Sequence, residues 1–384
     1  NKSEGDFGYN PKTQQNLIIQ ARKGFSVGFD MVWSKSKQKT KSAPKPEKKI
    51  SPVIKGGWQL SSGHSLDRKI EDEQAVADTV AFIEAGITTL DFGDIYTGVE
   101  ELIGKALLEL SKKNGASARD QIQLHTKYVP NEKFLSNFDR TDVATIVNRS
   151  LSRLGVDQVD IVQLHWWKYE DRHYLAAIEE LFKLKEAGKI KHIGVTNFDV
   201  ERLKEMVAAN FTPASHQIQY SILDRRAEEG MAQFCIENGI GILCYGTVAG
   251  GFLSEKFLNQ PEPKTVETRS SVKYQLIIDE FGGWDLFQNL LSTLNEIAIS
   301  HKTDIGTVAS AWVLNRPAVK AVIVGARNVS HMDSNLKIPT IEFTDDEMFE
   351  INEVLKKSKG PNGPVYHLER YFDKHRNIMH TNNN

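Results

Sequence analysis

From Val53 onward, short apolar runs alternate with longer stretches whose apolar residues recur every three or four positions. The short runs fall at 53–57, 87–91, 121–126, 159–164, 190–195, 215–219, 240–244 and 320–324 and predict eight strands. Between them, Val99, Leu102, Ile103, Ala106, Leu107 and Leu110 line one face of a helix. Similar spacing occupies 74–85, 142–154, 173–187, 200–209 and 226–238. Gly86, Gly155, Gly188 and Gly239 follow four of these stretches, where a left-handed residue lets a helix stop before the next strand begins. Eight strands with regular crossovers predict an α/β fold, a (β/α)8 TIM barrel, rather than an open doubly wound sheet. The dinucleotide turn expected of the open sheet, Gly-x-Gly-x-x-Gly after the first strand, is missing.

Two regions depart from this rhythm. After the seventh strand, 246–285 reads as a long loop insertion rich in Pro, Gly and charge, and helical stretches at 286–300 and 304–315 precede strand eight. A loop of that length at a barrel mouth is usually functional, because it can fold over a ligand. The closing segment carries Gly360, Pro361, Gly363 and Pro364 and then an aromatic and charged run over 366–372. It reads as a C-terminal arm that either covers one end of the barrel or trails into solvent. The expected organisation is an N-terminal extension at 1–49, a barrel at 50–353 and an arm at 354–384.

Length and composition narrow the function. With 384 residues, 40% of them hydrophobic, the chain can bury one large core. A formal net charge of -2 offers no surplus for neutralising phosphates and argues against nucleic-acid binding. The basic surplus is local: seven lysines lie between Lys35 and Lys49 among Ser, Pro and Gln. That segment reads as a solvated tail, with docking to an acidic partner as the alternative. Cys235 and Cys244 are the only cysteines and sit in apolar runs, which fits a reducing compartment, cytoplasm or organelle interior. The numbering opens on an asparagine, so a removed targeting peptide would have taken its address with it. No run of 18 apolar residues suggests a transmembrane segment.

If the strands close in sequence order, Asp91, Tyr96, Lys127 and His165 converge where such barrels place their chemistry. Tyrosine alone is a poor acid at neutral pH, but a neighbouring ammonium favours the phenolate and lowers the phenol's pKa. Lys127 is placed to supply that effect, and Asp91 to keep Lys127 protonated. His165, as a neutral imidazole, can donate to a carbonyl oxygen as negative charge develops there. Asp91, Asp94 and His165 also suggest metal ligands, but a lysine among them would compete with a cation. A Schiff-base role for Lys127 needs a neutral amine, which Asp91 opposes.

These residues can deliver a proton but supply no electrons. The runs 90–96, 125–127, 163–167, 193–198 and 323–328, in this order and spacing, resemble the aldo-keto reductase family over roughly 50–350. The resemblance implies a barrel that binds nicotinamide cofactor and reduces an aldehyde or ketone by hydride transfer, with Asp91, Tyr96, Lys127 and His165 as its tetrad and Tyr96 as proton donor. It also implies that Thr196, Asn197 and Gln217 hold the carboxamide and that Tyr245 stacks under the ring. Gly57 and Trp58 join the cofactor side. Gly325, Arg327 and Asn335 form the adenosine-phosphate corner, with His331 and Ser334 departing from the usual residues. NADPH is the expected cofactor, with NADH left open. Trp58, Trp166 and Trp167 are expected to wall a pocket for a small carbonyl substrate. The alternative is a cofactor-binding regulatory or scaffold subunit, resembling potassium-channel beta subunits, that meets a protein partner through its basic extension or its arm.

Overall fold

The computed structural model describes residues 48–62, 64, 72–266 and 268–378. The apolar runs form β1 (Val53–Gly56), β2 (Thr89–Asp91), β3 (Gln123–Tyr128), β4 (Val159–Leu164), β5 (Ile190–Thr196), β6 (Ser215–Gln219), β7 (Gly241–Tyr245) and β8 (Val319–Gly325). All neighbours pair in parallel, and β8 pairs back onto β1 to close a barrel in sequence order. The fold is the (β/α)8 barrel that the hydrophobic pattern predicts. Most of the expected extension lies outside the described residues. Lys48, near its end, donates to the Ile122 carbonyl at 2.7 Å and pairs with Asp160 at 3.2 Å.

Strand side chains alternate between the two faces of a sheet, so one parity of each strand faces the barrel interior. Gln123, His125 and Lys127 share that face on β3, as do Ser215, Gln217 and Gln219 on β6. On β1, β7 and β8 the corresponding residues are apolar: Ile54, Leu243, Ala321 and Ile323 pack as a cluster separate from the large outer core. The barrel is therefore filled by hydrocarbon on one side and by hydrogen-bonded polar side chains on the other. Towards the mouth, inward positions of the eight strands gather Gly56, Asp91, Lys127, Gln163, Thr196, Gln217, Tyr245 and Gly325.

Helices wrap the outside and bury their periodic faces, as Val99, Leu102, Ile103, Ala106, Leu107 and Leu110 do on the helix Val99–Asn114. Gly155 ends the helix Thr141–Leu154 at φ 65° and returns its N–H to Leu151 and Ser152. That left-handed turn feeds the chain directly into β4.

The insertion after β7 is more ordered than its composition suggests. It contains the helix Arg269–Phe281, capped by Thr268 accepting from the Ser271 N–H at 3.0 Å. The helix buries Tyr274, Ile277, Ile278 and Phe281, a regular apolar face obscured by the Pro- and Glu-rich residues just before it. The next helix, Trp284–Ser300, starts inside the span read as loop. Over its described residues the C-terminal arm is not a trailing tail. Val365, Tyr366, Leu368, Glu369 and Arg370 are buried, and the short helix His367–Tyr371 brings Tyr366 against His165 at the mouth.

Candidate active site

Three inward side chains meet on one carboxylate. Lys127 Nζ lies 2.6 Å from Asp91 Oδ1 and also donates to the Phe92 carbonyl at 2.7 Å. The other oxygen, Asp91 Oδ2, accepts from Gln163 Nε2 at 2.8 Å and from Gln217 Nε2 at 2.6 Å. Barrel register explains the convergence: Lys127 is level with Gln163 across β3 and β4, and Asp91 is level with His125 across β2 and β3. Each donor stabilises the ionised carboxylate, so the pair is fixed from both sides. Burial disfavours the Lys127 ammonium, but Asp91 and then Tyr96 outweigh it, and the lysine sits above its ordinary pKa of 10.5.

Tyr96 follows β2 and lies beside this pair, with Lys127 Nζ 5.0 Å from its ring centre. The expected lowering of its pKa does not emerge on balance. Burial raises the phenol above 10.0, Lys127 opposes the rise, and Asp91 adds to it. Desolvation of a phenolate outweighs one ammonium that is itself shared with a carboxylate. The group is therefore a protonated phenol at neutral pH with a cation beside it.

His165 directly follows β4. Its Nδ1 lies 3.4 Å from the Thr196 carbonyl, while its buried Nε2 has no hydrogen-bond partner among the described residues. Burial, aided by the Arg370 charge, pushes its pKa down to about 3, which makes the ring neutral. The Trp167 ring meets it edge-on at 4.3 Å and the Tyr366 ring at 5.7 Å.

These groups open into one cavity of about 1470 Å³ that runs from the barrel centre to the loop after β8. Each of the nine residues expected on the cofactor side lines it: Gly57, Trp58, Thr196, Asn197, Gln217, Tyr245, Gly325, Arg327 and Asn335. Their free valences differ. Gln217 commits its amide nitrogen to Asp91, and Asn197 Oδ1 accepts from the Tyr245 hydroxyl at 2.9 Å, which leaves the Asn197 amide nitrogen for a ligand. At the far end, Arg327 is exposed at the rim near His331 and Asn335. Gly325 lets the Gln59 side chain lie against it, since a Cβ there would stand 2.3 Å from Gln59 Nε2.

Of the three tryptophans expected to wall the pocket, Trp58 and Trp167 line the cavity and Trp166 does not. Trp166 is fully buried on the opposite side, packed edge-on to Phe138 and Tyr174, with its Nε1 bonded to the Asp171 carbonyl. Two adjacent residues beyond a strand cannot both face the mouth, and here the second does.

Several contributors had no role in the sequence reading. Gln163 completes the Asp91 clamp. Lys273 reaches the cavity from the helix in the insertion, and Tyr366 enters it from the arm. Glu369 ties the arm down through Arg226 at 3.1 Å and Lys273 at 3.3 Å. Burial opposes the Glu369 charge, but Lys273 and Arg226 hold its carboxyl below the usual range. The available signal was the charged pair Glu369 and Arg370 within an aromatic run, an expensive combination to bury without a purpose.

The sequence profile of the Aldo/keto reductase family matches residues 52–356. Aldo-keto reductase YhdN of Bacillus subtilis is 28% identical over 313 residues, covering 77% of this chain and 88% of the relative. A probable aldo-keto reductase 1 of Glycine max is 24% identical, covering 80% and 87%. Among solved structures, the thermostable aldo-keto reductase Tm1743, in complex with the inhibitor epalrestat, aligns with TM-score 0.62 at 27% identity, covering 79% of this chain and 95% of that one. An aldo-keto reductase from Klebsiella pneumoniae in complex with NADPH aligns with TM-score 0.61 at 21% identity, covering 82% and 93%, a likeness of fold.

Proposed function

Because the chain belongs to the aldo/keto reductase family, we propose that it reduces an aldehyde or ketone to an alcohol with NADPH, and that Tyr96 gives the proton. The family supports a nicotinamide-dependent oxidoreductase in general; the residue roles and the cofactor's phosphate belong to this reading. One observation carries it: a protonated phenol, a buried ammonium and a neutral imidazole whose Nε2 lacks a partner meet at one end of a long cavity.

The residues present fit a nicotinamide dinucleotide. Asn197 and Thr196 would hold the carboxamide end with the Gln217 oxygen, Tyr245 would lie under the ring, and Gly57 and Trp58 would flank it. Gly325, Arg327 and Asn335 would take the adenosine end. Arg327 favours NADPH, since an exposed guanidinium suits a ribose phosphate, and the Klebsiella pneumoniae relative was crystallised with NADPH. When bound, such a cofactor supplies a hydride to the carbonyl carbon.

The chain's own residues supply the remainder. Burial keeps Tyr96 protonated and ready to donate, and Lys127 stabilises the phenolate left behind. Asp91 keeps Lys127 charged through that change. A neutral His165 carries a single proton; on Nε2, that proton meets the carbonyl oxygen and orients it, and the 3.4 Å contact to Thr196 competes only weakly for it. Trp58, Trp167 and Tyr366 present ring surface beside Tyr96 and His165, which suits a planar or aromatic carbonyl compound. The scaffold reading draws on the basic segment, whose residues up to Glu47 lie outside the described residues.

The test incubates the full chain with NADPH or NADH and a panel of small aldehydes and ketones, following nucleotide consumption and alcohol formation together. Matched loss and gain, faster with NADPH, is the expected result. Tight nucleotide binding without turnover across the panel would replace this reading with the scaffold one.

A further inference from the structure

Arg370 is carried by the C-terminal arm, far along the chain from the barrel residues it touches, and is buried. No described carboxylate pairs with it. A guanidinium in that state is costly unless its donors are well used. Its donors go to the backbone of the mouth. Nη1 donates to the Trp166 carbonyl at 2.5 Å and to the Trp167 carbonyl, and Nη2 donates to the Asn197 carbonyl at 2.9 Å and to the Tyr169 hydroxyl at 3.1 Å. The guanidinium carbon Cζ also lies 3.8 Å from the centre of the Tyr169 ring. Tyr169 in turn donates to the Asn197 carbonyl at 3.3 Å and accepts from the Asp199 N–H at 3.0 Å.

The placement of those carbonyls matters. Trp166 and Trp167 are the two residues after His165, and Asn197 follows Thr196, whose carbonyl faces the His165 ring. Asn197 itself stands at φ 62°, a left-handed conformation rare for a residue with a side chain, which holds its amide toward Tyr245. One rigid planar fork thus joins the ends of β4 and β5.

We propose that Arg370 is a positioning residue: its guanidinium holds the backbone behind His165 and Asn197 in the register the reaction requires, so that the C-terminal arm is part of the active site. Arg370 touches no substrate atom in this scheme and acts through those two residues. The inference deepens the reductase reading and rests on it for its kinetic consequence.

The charge on Arg370 has a second effect. Among the described residues, the charged and titratable groups around His165 are Arg370 and Tyr366 from the arm, Lys127 from β3 and the Tyr96 phenol at the same end of the cavity; β5 offers it the Thr196 carbonyl, and the loop after β4 the Trp167 ring. Burial already disfavours a protonated ring, and the cations Arg370 and Lys127 add to that resistance.

The test compares the full chain with R370Q, which removes the charge, R370K, which keeps charge but loses the fork, and K374A, an exposed control on the same arm. Three quantities are read: NADPH affinity by fluorescence titration, kcat and KM for 4-nitrobenzaldehyde, and the titration of the His165 ring by NMR in the ligand-free, histidine-labelled protein. In R370Q, kcat is expected to fall on the order of 10²-fold with a smaller change in the aldehyde's KM. NADPH binding should weaken, and the His165 ring should take up its proton at higher pH than in the native chain. R370K should keep the native titration but not the native NADPH affinity, and K374A should match the native chain throughout.

A folded R370Q with native His165 titration and native NADPH affinity would overturn the proposal. If R370Q does not fold, native NADPH affinity in R370K would overturn it in the same way. Absence of turnover in the native chain would defeat the reductase reading alone, because titration and nucleotide affinity still judge Arg370.

Discussion

Lys127 and Asp91 form an ion pair 2.6 Å long with both side chains almost wholly removed from solvent. Neither charge has another ionic partner among the described residues. Breaking such a pair from one side leaves a buried charge uncompensated, which typically costs about 3–5 kcal/mol. Asp91→Asn should therefore destabilise the fold by roughly that amount, seen as a lower urea midpoint. It should also lower the Lys127 pKa, because the carboxylate that holds the proton on is gone. Loss of carbonyl reduction without loss of stability would mean that the pair is not a structural unit.

Tyr96→Phe removes one hydroxyl and little volume. Reduction should fall by about 10²–10⁴-fold, the usual contribution of a positioned acid, while NADPH binding stays near native. The pH profile adds a sign. In the proposed role the phenol must be protonated to act, and burial holds it above its ordinary 10.0, so proton donation should stay available through neutral and mildly alkaline pH. Steady-state rates across that range check this; a decline near neutral pH that the Tyr96→Phe variant abolishes would show a lowered pKa instead.

The barrel was legible because its signal is periodic. Apolar runs mark all eight strands, and Asp91, Lys127 and His165 stand at or beside strand ends, where chain order alone brings them together. Three features escaped for different physical reasons. The helix Arg269–Phe281 has a regular buried face, but Pro- and Glu-rich neighbours dominate the composition around it. Trp166 and Trp167 look equivalent in sequence, and only the turn after β4 sends one into the core and the other to the cavity. Tyr366 reaches His165, and Arg370 the two residues after it, through a return of the chain that no local pattern announces. The sign of the Tyr96 shift was misjudged because desolvation depends on packing, which spacing does not report.

Arg327 lines the far end of the cavity with its side chain open to solvent. On the proposed reading, a guanidinium placed there would distinguish a phosphorylated ribose from a bare one through charge-assisted hydrogen bonds. Arg327→Ala should raise the NADPH Kd on the order of tenfold and leave the NADH Kd almost unchanged. Titration of both nucleotides against the variant measures the ratio directly. Equal weakening of the two would place Arg327 against the adenine ring instead of the phosphate.

Three buried histidines make stability depend on pH. Burial pushes His165 and His216 down to about 3 and His125 to about 4, against an ordinary value of 6.5. Each is built in as a neutral ring: His216 Nε2 accepts from the Phe198 N–H at 3.1 Å, which requires that nitrogen to be bare. In the unfolded chain the same rings take up protons as soon as pH falls below about 6.5. The folded state binds fewer protons in that window, so the stabilisation is complete above pH 6.5 and is lost as pH falls towards 4 and 3. Each ring contributes a slope of up to about 1.4 kcal/mol per pH unit. Urea midpoints measured from about pH 7 to about pH 5 should fall steadily. His216→Gln should lower the midpoint at neutral pH, through loss of the ring nitrogen that accepts the Phe198 N–H, and should make the decline shallower. A midpoint that stays flat across this range would mean that the rings reach water before the fold yields.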